Sequence, residues 1–522
     1  MRLHDFLDYQ ARERAEADFA IQGNRRISYG KALAETHRWA NALVSAGLQP
    51  GDRIAILSKN SIEYILLYLA ASKAGLVSVP LNYRLAPAEW RYILNDAGAK
   101  IVFAAGEYPQ AINPIRNELT TVERFVAIDG PNAAGWEDFQ GWMAGQPTTP
   151  PPSLVTTDHD LFQLYTSGTT GRPKGAMLTH RAVTTHFMQM GLAHDIRPGE
   201  RLLLVAPLFH VAGLNAGAFP CLAVGGCLYI QADFKPVEVV RALSEEHIAI
   251  AILVPAMIQA CLTGVPDVAE RHYPDLRLIH YGASPIAEQT LRRAMEVFGC
   301  EFSQGYGMTE MSAAITILST ADHRRALAEK PELLLSAGRP ILGTEVRIVD
   351  SNDNPLPHGV VGEVIARGPQ MMKGYWNQDE ASAMALRGGW MRTGDAGMLD
   401  DEGYLYIQDR IKDMIVSGGE NVYPRVVEEV LYQHPAIAEA AVIGVPDERW
   451  GETVKAIVVL RQGMTATAEE IMEFCRGKVG GFERPRSVDF IEALPRTPSG
   501  KVLKRVLREP YWAGQQRRVA GV

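Results

Sequence analysis

The sequence YTSGTTGRPKG at residues 165–175 is the most informative stretch of this chain. It holds four Thr or Ser hydroxyls, three glycines, one arginine and one lysine. Glycines let backbone N–H groups approach an anion closely, and the hydroxyls and Lys174 add further donors. The stretch therefore predicts a loop that binds a polyphosphate, between a buried strand at Leu161–Tyr165 and a helical segment that begins at Leu178.

Two other interpretations of this loop are weaker. The Walker A pattern G-x-x-x-x-G-K-[ST] fails, because Pro173 stands where the glycine before the lysine should be. A flexible Gly/Ser/Thr linker has no need of the sequence Pro-Lys-Gly between two ordered elements. The phosphate-binding interpretation is therefore preferred.

Composition narrows the class of protein. The chain has 522 residues and a net charge of −8 with no basic block, which argues against nucleic acid as a partner. Five cysteines without C-x-x-C spacing favour a reducing compartment over disulfides or structural zinc. The N-terminus is unlike a signal peptide, the apolar stretch Tyr64–Leu81 is too short for a membrane span, and no peroxisomal tripeptide ends the sequence. A cytoplasmic protein is expected, and a homodimer stays open.

Helical patterns alternate with short runs of β-branched residues along most of the chain. Strands are predicted at residues 52–58, 75–81, 201–207, 226–230, 250–255 and 276–282. The alternation predicts an α/β fold with largely parallel sheets. From about residue 337, short strands and turns predict a small antiparallel, barrel-like part.

A large N-terminal domain is predicted over residues 1–411 and a small α+β domain over 412–522, with the boundary near Lys412. The small domain is long enough for a core of its own. Its predicted elements are a helix at Arg425–Gln433, strands at Ala438–Ile443 and Lys455–Leu460, a helix at Ala468–Val479 and a strand at Ser487–Ile491.

The segment QGYGMTE at residues 304–310 combines a tyrosine between two glycines with a hydroxyl and a carboxylate. The Tyr306 ring could be exposed as a stacking face for a base. Glu310 could hold Mg²⁺ together with phosphate oxygens and waters. Taken alone, the segment fits a tight turn with a solvated glutamate equally well.

Four further motifs also have ordinary structural explanations when each is taken alone. GASPI at residues 282–286 fits a strand-to-helix turn with Pro285 at the first helical position. WMRTGD at 390–395, followed by DRIKD at 409–413, fits surface loops. VSGGENVYP at 416–424 fits a turn, and PRTPSGKVLKR at 495–505 fits a solvated loop.

Taken in order from Tyr165 to Lys501, the six motifs resemble those of the adenylate-forming superfamily, which comprises acyl-CoA ligases, luciferases and amino-acid adenylation domains. The resemblance implies ATP, Mg²⁺ and coenzyme A as ligands. It implies nucleotide binding by Thr166, Ser167, Gly168, Thr169, Thr170, Gly171, Lys174, Gly282, Ala283, Ser284, Gly305, Tyr306, Gly307, Thr309, Asp395, Ile407 and Arg410.

The resemblance also implies particular roles. Glu310 and Thr166 would serve Mg²⁺, and Asp395 would accept the ribose hydroxyls. Lys412 would be the hinge about which the small domain rotates, and Gly418 and Gly419 would face the CoA channel. The implied catalytic residues are Lys501, Glu310, Thr166 and His210.

The implied reaction has two steps. The carboxylate of an acid attacks the α-phosphorus of ATP and pyrophosphate leaves, after which a thiol attacks the acyl-adenylate and AMP leaves. Positioning and charge neutralisation supply most of the catalysis, so no protein nucleophile is needed. A catalytically silent acyl-adenylate binder, and an adenylating enzyme with another acceptor (luciferase-like, or one that loads a carrier protein), are the alternatives.

The segment APLFHVAGLNAGAF at residues 206–219 resembles the family segment that lines the acyl pocket. Lining residues are predicted at His210, Val211, Asn215, Gly282, Gly307, Ala313 and Ala314. No aspartate follows His210 to hold an α-ammonium, which disfavours an amino acid, and no tryptophan shortens the pocket to acetate length. An apolar pocket is expected, and a medium- or long-chain fatty acid and an aryl or cinnamic acid such as ferulate fit equally.

Overall fold

The computed structural model describes residues 1–129, 134–166, 172–283, 286, 288–410, 413–417, 420–447, 449–496 and 502–513. Its architecture is mixed α/β, with a large N-terminal and a small C-terminal domain, which confirms the predicted fold class. No helix in these ranges combines the length and hydrophobicity of a membrane span.

The strands of the described residues are β1 Asp18–Gln22, β2 Arg25–Ser28, β3 Arg53–Leu57, β4 Val77–Pro80, β5 Ala99–Ala104, β6 Arg124–Ala127, β7 Glu137–Asp138, β8 Asp160–Thr166, β9 Lys174–Thr179, β10 Arg201–Leu204, β11 Cys227–Ile230, β12 Ile248–Leu253, β13 Leu278–Gly282, β14 Glu301–Tyr306, β15 Thr316–Leu318, β16 Arg339–Pro340, β17 Glu345–Val349, β18 Gly362–Arg367, β19 Gly374–Tyr375, β20 Met391–Leu399, β21 Leu405–Arg410, β22 Ile415–Ser417, β23 Glu420–Val422, β24 Ile437–Asp447, β25 Gly451–Leu460 and β26 Ser487–Phe490.

The α-helices are α1 Leu3–Glu13, α2 Tyr29–Ser45, α3 Ile62–Ala74, α4 Pro87–Ala97, α5 Tyr108–Ile112, α6 Phe139–Met143, α7 His180–Ala193, α8 Val211–Gly213, α9 Phe219–Ala223, α10 Pro236–Glu245, α11 Pro255–Gly264, α12 Glu288–Phe298, α13 Thr320–Ala328, α14 Asp379–Ala385, α15 Pro424–Leu431, α16 Ala468–Phe474 and α17 Lys504–Arg508. A π-helix, Leu214–Ala218, joins α8 to α9, and a 3-10 helix, Thr309–Met311, follows β14.

Two largely parallel sheets form the N-terminal domain. In the described residues, one has nine strands in the order β16-β15-β14-β13-β12-β10-β11-β1-β2, and the other has eight in the order β19-β9-β8-β4-β3-β5-β6-β7. Their facing sides and the helices between them share one apolar core. Ligands of open α/β sheets bind at the carboxyl ends of the strands, where β8, β13 and β14 end at Thr166, Gly282 and Tyr306.

Helix α3 shows how this helical layer forms. Its sequence IEYILLYLAASKA is apolar on almost every side, as expected for a helix enclosed between two sheets. The Ser61 hydroxyl caps its start by accepting from the Tyr64 N–H at 3.1 Å. Gly75 ends it in the left-handed conformation, with φ of +78°.

The part that begins near residue 337 is an antiparallel sheet of four strands, β17-β18-β20-β21, in agreement with the predicted antiparallel texture. The small domain contains β22 to β26, with β26 parallel to β25 and a separate apolar core. Its second helix ends at Phe474 and not at Val479 as predicted, and short turns follow it. The predicted boundary residue, Lys412, lies outside the described residues.

The sequence did not predict β9. Lys174 is the first residue of this strand, which pairs antiparallel with β8 on one side and with β19 on the other. The run KGAMLT shows no clear alternation of polar and apolar residues, because Gly175, Ala176 and Leu178 interrupt it. It therefore gives little local signal for a strand. Its antiparallel pairing decides its structure, with six register positions against neighbouring β8 and two against distant β19.

A buried ion cluster joins the small domain to the end of β21. The Lys504 ammonium lies 3.2 Å from Asp409 Oδ2 and 2.9 Å from Glu428 Oε1, and all three side chains are largely buried. Burial alone would favour the neutral amine, but the Glu428 and Asp409 carboxylates outweigh it and raise the pKa of Lys504. The ammonium therefore neutralises two carboxylates where the chain passes between the domains.

Lys504→Met is expected to lower the free energy of unfolding by about 3 kcal/mol, because it leaves Asp409 and Glu428 buried without their cation. Urea denaturation monitored by circular dichroism measures this change. Lys100→Met is the matched control, because Lys100 pairs with Glu123 at an exposed site and should show no measurable change. Equal effects of the two substitutions would contradict the assignment of a structural role to the buried cluster.

Candidate active site

The ends of the predicted phosphate loop are held by a hairpin. Thr166, the last residue of β8, pairs with Lys174, the first residue of β9. The Lys174 ammonium lies 5.2 Å from the centre of the Tyr375 ring, which belongs to β19. The hairpin thus places the Thr166 hydroxyl at one end of the loop and the Lys174 ammonium at the other end.

Glu310 lies beside this hairpin although it follows a strand of the other sheet. It is in the 3-10 helix after β14, is only 6% exposed, and accepts a hydrogen bond of 2.7 Å from the Tyr375 hydroxyl. Burial, and then the Glu310 carboxylate, raise the pKa of Tyr375, so its hydroxyl remains a donor. Met372 N–H also donates to the Glu310 carbonyl at 2.7 Å, which anchors the segment before β19.

A glycine edge lies at the ends of β13 and β14, where Gly282 is in register with Gly305. A Cβ on Gly282 would collide with the Gly305 carbonyl, and a Cβ on Gly307 would collide with the carbonyl of Ala313. Ala283 has a φ of +68°, a conformation that non-glycine residues adopt rarely. The backbone is therefore bare and closely packed here, so a planar ligand could lie directly against it.

Gly307→Ala is expected to lower the free energy of unfolding by about 2 kcal/mol, because the backbone at Ala313 must move to admit the methyl group. The displaced backbone should also weaken turnover, which steady-state assays of the folded variant measure. Gly191→Ala is the control: it lies inside α7, its Cβ would meet nothing closer than 3.7 Å, and it should be neutral or slightly stabilising. A Gly307→Ala protein of wild-type stability and activity would contradict the packing argument.

Tyr306, Asp395 and Arg410 form a connected group. The Tyr306 hydroxyl donates to Asp395 Oδ2 at 2.6 Å, and Arg410 Nε lies 3.7 Å from Asp395 Oδ1. The exposed Tyr306 ring suggested by the sequence is not found, because the ring is partly buried against a small cluster that includes Ile407. Burial, and then Asp395, raise the pKa of Tyr306, so the tyrosine is a protonated donor that orients the carboxylate.

The predicted acyl-pocket segment forms the start of the α8, π-helix and α9 series. His210 is the N-cap of α8, and its Nδ1 accepts from the Ala212 N–H at 3.2 Å. Asn215 is fully buried in the π-helix, where its Nδ2 donates to the Ser312 carbonyl at 2.8 Å. Because π-helical turns are rare and occur frequently at functional sites, this backbone agrees with a ligand-lining role for the segment.

Several predicted residues lie outside the described ranges, and their predictions stay predictions: Ser167, Gly168, Thr169, Thr170, Gly171, Ser284, Lys412, Gly418, Gly419 and Lys501. Among the others, the structure brings together Thr166, Lys174 and Glu310 around Tyr375. It brings Gly282, Ala283, Gly305 and Gly307 into one edge, with Thr309 at the start of the 3-10 helix beyond it.

Sequence reasoning missed Tyr375, which links the hairpin to Glu310. The surrounding residues MMKGYWN match no motif, and the tyrosine reaches Glu310 only because β19 pairs with β9. It also missed buried histidines behind the acyl-pocket segment. Among the described residues, no group of three or more His, Cys, Asp or Glu side chains is arranged to hold a metal ion.

Comparison with known proteins identifies the family. The model of the AMP-binding enzyme family matches residues 7–376, and that of the AMP-binding enzyme C-terminal domain matches residues 426–501. The chain belongs to the AMP-binding enzyme family. The resemblance to the adenylate-forming superfamily is thereby confirmed, together with the predicted class of AMP-forming acid–thiol ligase.

Similar proteins differ in acid and acceptor. The fatty acid–[acyl-carrier-protein] ligase ScoC of Streptomyces coeruleorubidus is 38% identical over 95% of this chain and 93% of its own length. A feruloyl-CoA synthase from an Amycolatopsis species is 36% identical over 96% and 97%. The solved anthranilate CoA ligase AuaEII, in complex with anthranoyl-AMP, has a TM-score of 0.89 at 27% identity and covers 98% of this chain and 97% of its own.

The described residues agree with the ligands that the family uses. Acyl-CoA ligases of this family use ATP and CoA. A hard divalent cation prefers oxygen ligands, and the Glu310 carboxylate and the Thr166 hydroxyl are donors of that kind. The donor set therefore fits Mg²⁺ better than a softer metal.

Proposed function

We propose that this protein is an ATP-dependent acid–CoA ligase that forms an acyl-CoA through an acyl-adenylate. The observation that carries the proposal is the convergence of the Thr166–Lys174 hairpin and Glu310 on Tyr375, beside the bare glycine edge of β13 and β14. Adenylation needs three parts: cationic and hydroxyl donors for the phosphates, a carboxylate for a divalent cation, and a flat backbone surface for the base.

In the first step, an oxygen of the acid forms a bond to the α-phosphorus of ATP, and the bond from that phosphorus to the pyrophosphate breaks. Lys174 and Thr166 bind phosphate oxygens, and Asp395, oriented by Tyr306, accepts the ribose hydroxyls. Mg²⁺ held by Glu310 would neutralise charge on the phosphates. His210 lies beside the carboxylate and Lys501 stabilises charge where it meets the α-phosphate.

In the second step, the thiol sulfur forms a bond to the acyl carbon, the bond from that carbon to AMP breaks, and the thiol proton is lost to solvent. The small domain rotates about Lys412 between the steps, which removes Lys501 from the site. Gly418 and Gly419 then border the channel for the thiol. A few hinge residues suffice for such a movement, and their side chains need no chemical role.

Two thiol acceptors, CoA and a carrier protein, are candidates for the second step. CoA is favoured because the relatives include CoA ligases, such as the feruloyl-CoA synthase. A carrier protein is the second candidate, since ScoC, at 38% identity, is named as a ligase for an acyl-carrier protein. Both acceptors present a thiol to the same acyl-adenylate, so the proposed chemistry of the first step is common to them.

The test is pyrophosphate release with ATP and Mg²⁺ across a panel of acids: acetate, octanoate, palmitate, benzoate, cinnamate and ferulate. Each acid is assayed without thiol, with CoA and with a phosphopantetheine-bearing carrier protein. Turnover that requires one acid and CoA is the expected result. Turnover only with the carrier protein would replace the acceptor, and no release with any acid would leave a non-catalytic binder as the better interpretation.

A further inference from the structure

Three buried histidines lie together behind the predicted acyl-pocket segment. His186 belongs to α7, His194 directly follows α7, and His280 is in the middle of β13. The rings of His194 and His280 are 4.3 Å apart, and His186 Nε2 accepts from the Ala314 N–H at 3.4 Å. Their exposed fractions are 0%, 1% and 5% for His186, His194 and His280.

Polar atoms of this histidine cluster lack partners within the described residues. They are Nδ1 of His186 and both ring nitrogens of His194. The His186 ring also interacts with the Gln189 side chain, and His280 Nδ1 shares a hydrogen bond of 2.9 Å with the Ser303 hydroxyl. Among the described residues, His194 is therefore the member of the cluster with no partner for either ring nitrogen. An unsatisfied buried polar group costs about 1–3 kcal/mol, so the two ring nitrogens of His194 are the atoms that a bound polar group would stabilise.

The cluster is neutral at physiological pH. Burial lowers the pKa of His186 to about 4 and that of His280 to about 3, and it lowers the pKa of His194 well below its usual value. A neutral imidazole offers one donor and one acceptor. It therefore suits a neutral hydroxyl, which can both donate and accept, better than a second carboxylate.

The cluster lies in line with the acyl site. His280 and Gly282 point to the same face of β13, and the register pairs Gly282 with Gly305 on β14. Two residues of a strand span roughly 7 Å, so His280 lies about that far below the glycine edge. A Cβ on Gly305 would come within 2.9 Å of His280 Nε2, which means that only the absent side chain separates the edge from the ring.

The surroundings of this region also favour a polar ligand. In the predicted acyl-pocket segment, the buried Asn215 Oδ1 also has no partner within the described residues. Arg277 donates to the His194 carbonyl at 3.1 Å and pairs with Glu200 at 2.6 Å, which holds the backbone of His194 in place.

We propose that His186, His194 and His280 form the inner end of the acyl site and that His194 hydrogen-bonds a neutral hydroxyl on the tail of the substrate acid. This inference rests on the proposed function and narrows its substrate class to acids that carry a neutral hydroxyl on the tail. A plain hydrocarbon tail would leave the histidine nitrogens unsatisfied.

The experiment compares matched acids on the full-length enzyme with ATP, Mg²⁺ and the active thiol acceptor. The aromatic pair is 4-hydroxycinnamate and 4-methylcinnamate, which differ by a hydroxyl and a methyl of similar size. A second pair, an ω-hydroxy fatty acid and its methyl-ended counterpart, tests acids with an aliphatic chain in place of the aromatic ring. We expect kcat/KM for the hydroxyl member to exceed that of its partner by about tenfold or more, because a site built around a hydroxyl discriminates against its loss.

His194→Leu should bring this ratio close to one, because the substitution removes the ring nitrogens that would bind the hydroxyl. Its Tm should be unchanged or higher, because the substitution removes buried polar atoms that have no partner. The control is His323→Leu on the other side of β13, where both nitrogens are bonded, to the Tyr281 hydroxyl at 3.0 Å and the Ser319 carbonyl at 2.8 Å. It should lower Tm and leave the ratio unchanged.

The outcomes separate this inference from the proposed function. Active wild-type enzyme with a ratio near one in both pairs overturns the inference, and the cluster would then hold only water. An equal collapse of the ratio in His323→Leu also overturns it, because the effect would be general loosening of the fold. No pyrophosphate release with any acid overturns the proposed function itself.

Discussion

Glu310→Gln is expected to reduce ATP-dependent adenylation about a thousandfold while the protein stays folded. The substitution keeps the shape of the side chain but removes the buried negative charge next to the hairpin. Charge stabilisation at a phosphoryl-transfer site can be worth this much, since loss of one preorganised group costs about 10²–10³ in rate. Initial rates of pyrophosphate release measure the loss.

The matched control for this substitution is Tyr375→Phe, which removes only the hydroxyl that donates to Glu310. We expect a reduction of about tenfold, because the carboxylate remains but loses one orienting hydrogen bond. A Mg²⁺ titration should show that Glu310→Gln needs much more Mg²⁺ for half-maximal rate and that Tyr375→Phe needs only slightly more. Glu310→Gln activity within tenfold of wild type would remove Glu310 from the proposed cation site.

Lys501→Ala is expected to reduce adenylation about a thousandfold and to spare most of the thioester step when pre-formed acyl-adenylate is supplied. Lys501 lies outside the described residues, but its flanks are defined. Arg496 and Val502 form a β-bridge, and Leu503 N–H donates to the Pro495 carbonyl at 2.7 Å. The described residues on either side of Lys501 therefore meet in the small domain.

Lys478→Ala is the matched control, because Lys478 is an exposed lysine of the same domain that packs on the Phe474 ring. It should leave both half-reactions unchanged. The two half-reactions are measured separately, as pyrophosphate release and as acyl-thioester formation from the adenylate. Equal loss of both in Lys501→Ala would contradict a mechanism in which the lysine leaves the site between the steps.

The two-domain α/β fold could be predicted from the sequence because its signals are local. Helix α3 carries a capping serine, a continuous apolar run and a terminal glycine, and each acts within one or two turns. The phosphate loop and the segment at residues 304–310 were likewise recognisable, because ligand binding through backbone groups demands glycines and hydroxyls at close spacing. Family membership followed from the order of such motifs.

Only the tertiary structure decided which distant residues meet. Tyr375 reaches Glu310 because β19 pairs with β9, a contact between segments about 200 residues apart that no local pattern encodes. Tyr306, whose ring could have been exposed between its glycines, is instead partly buried and bonded to Asp395. His186, His194 and His280 read as ordinary core residues in sequence. The proposed role of the cluster in substrate choice depends on the contact of the His194 ring, unpartnered within the described residues, with His280, which brings the end of α7 against β13.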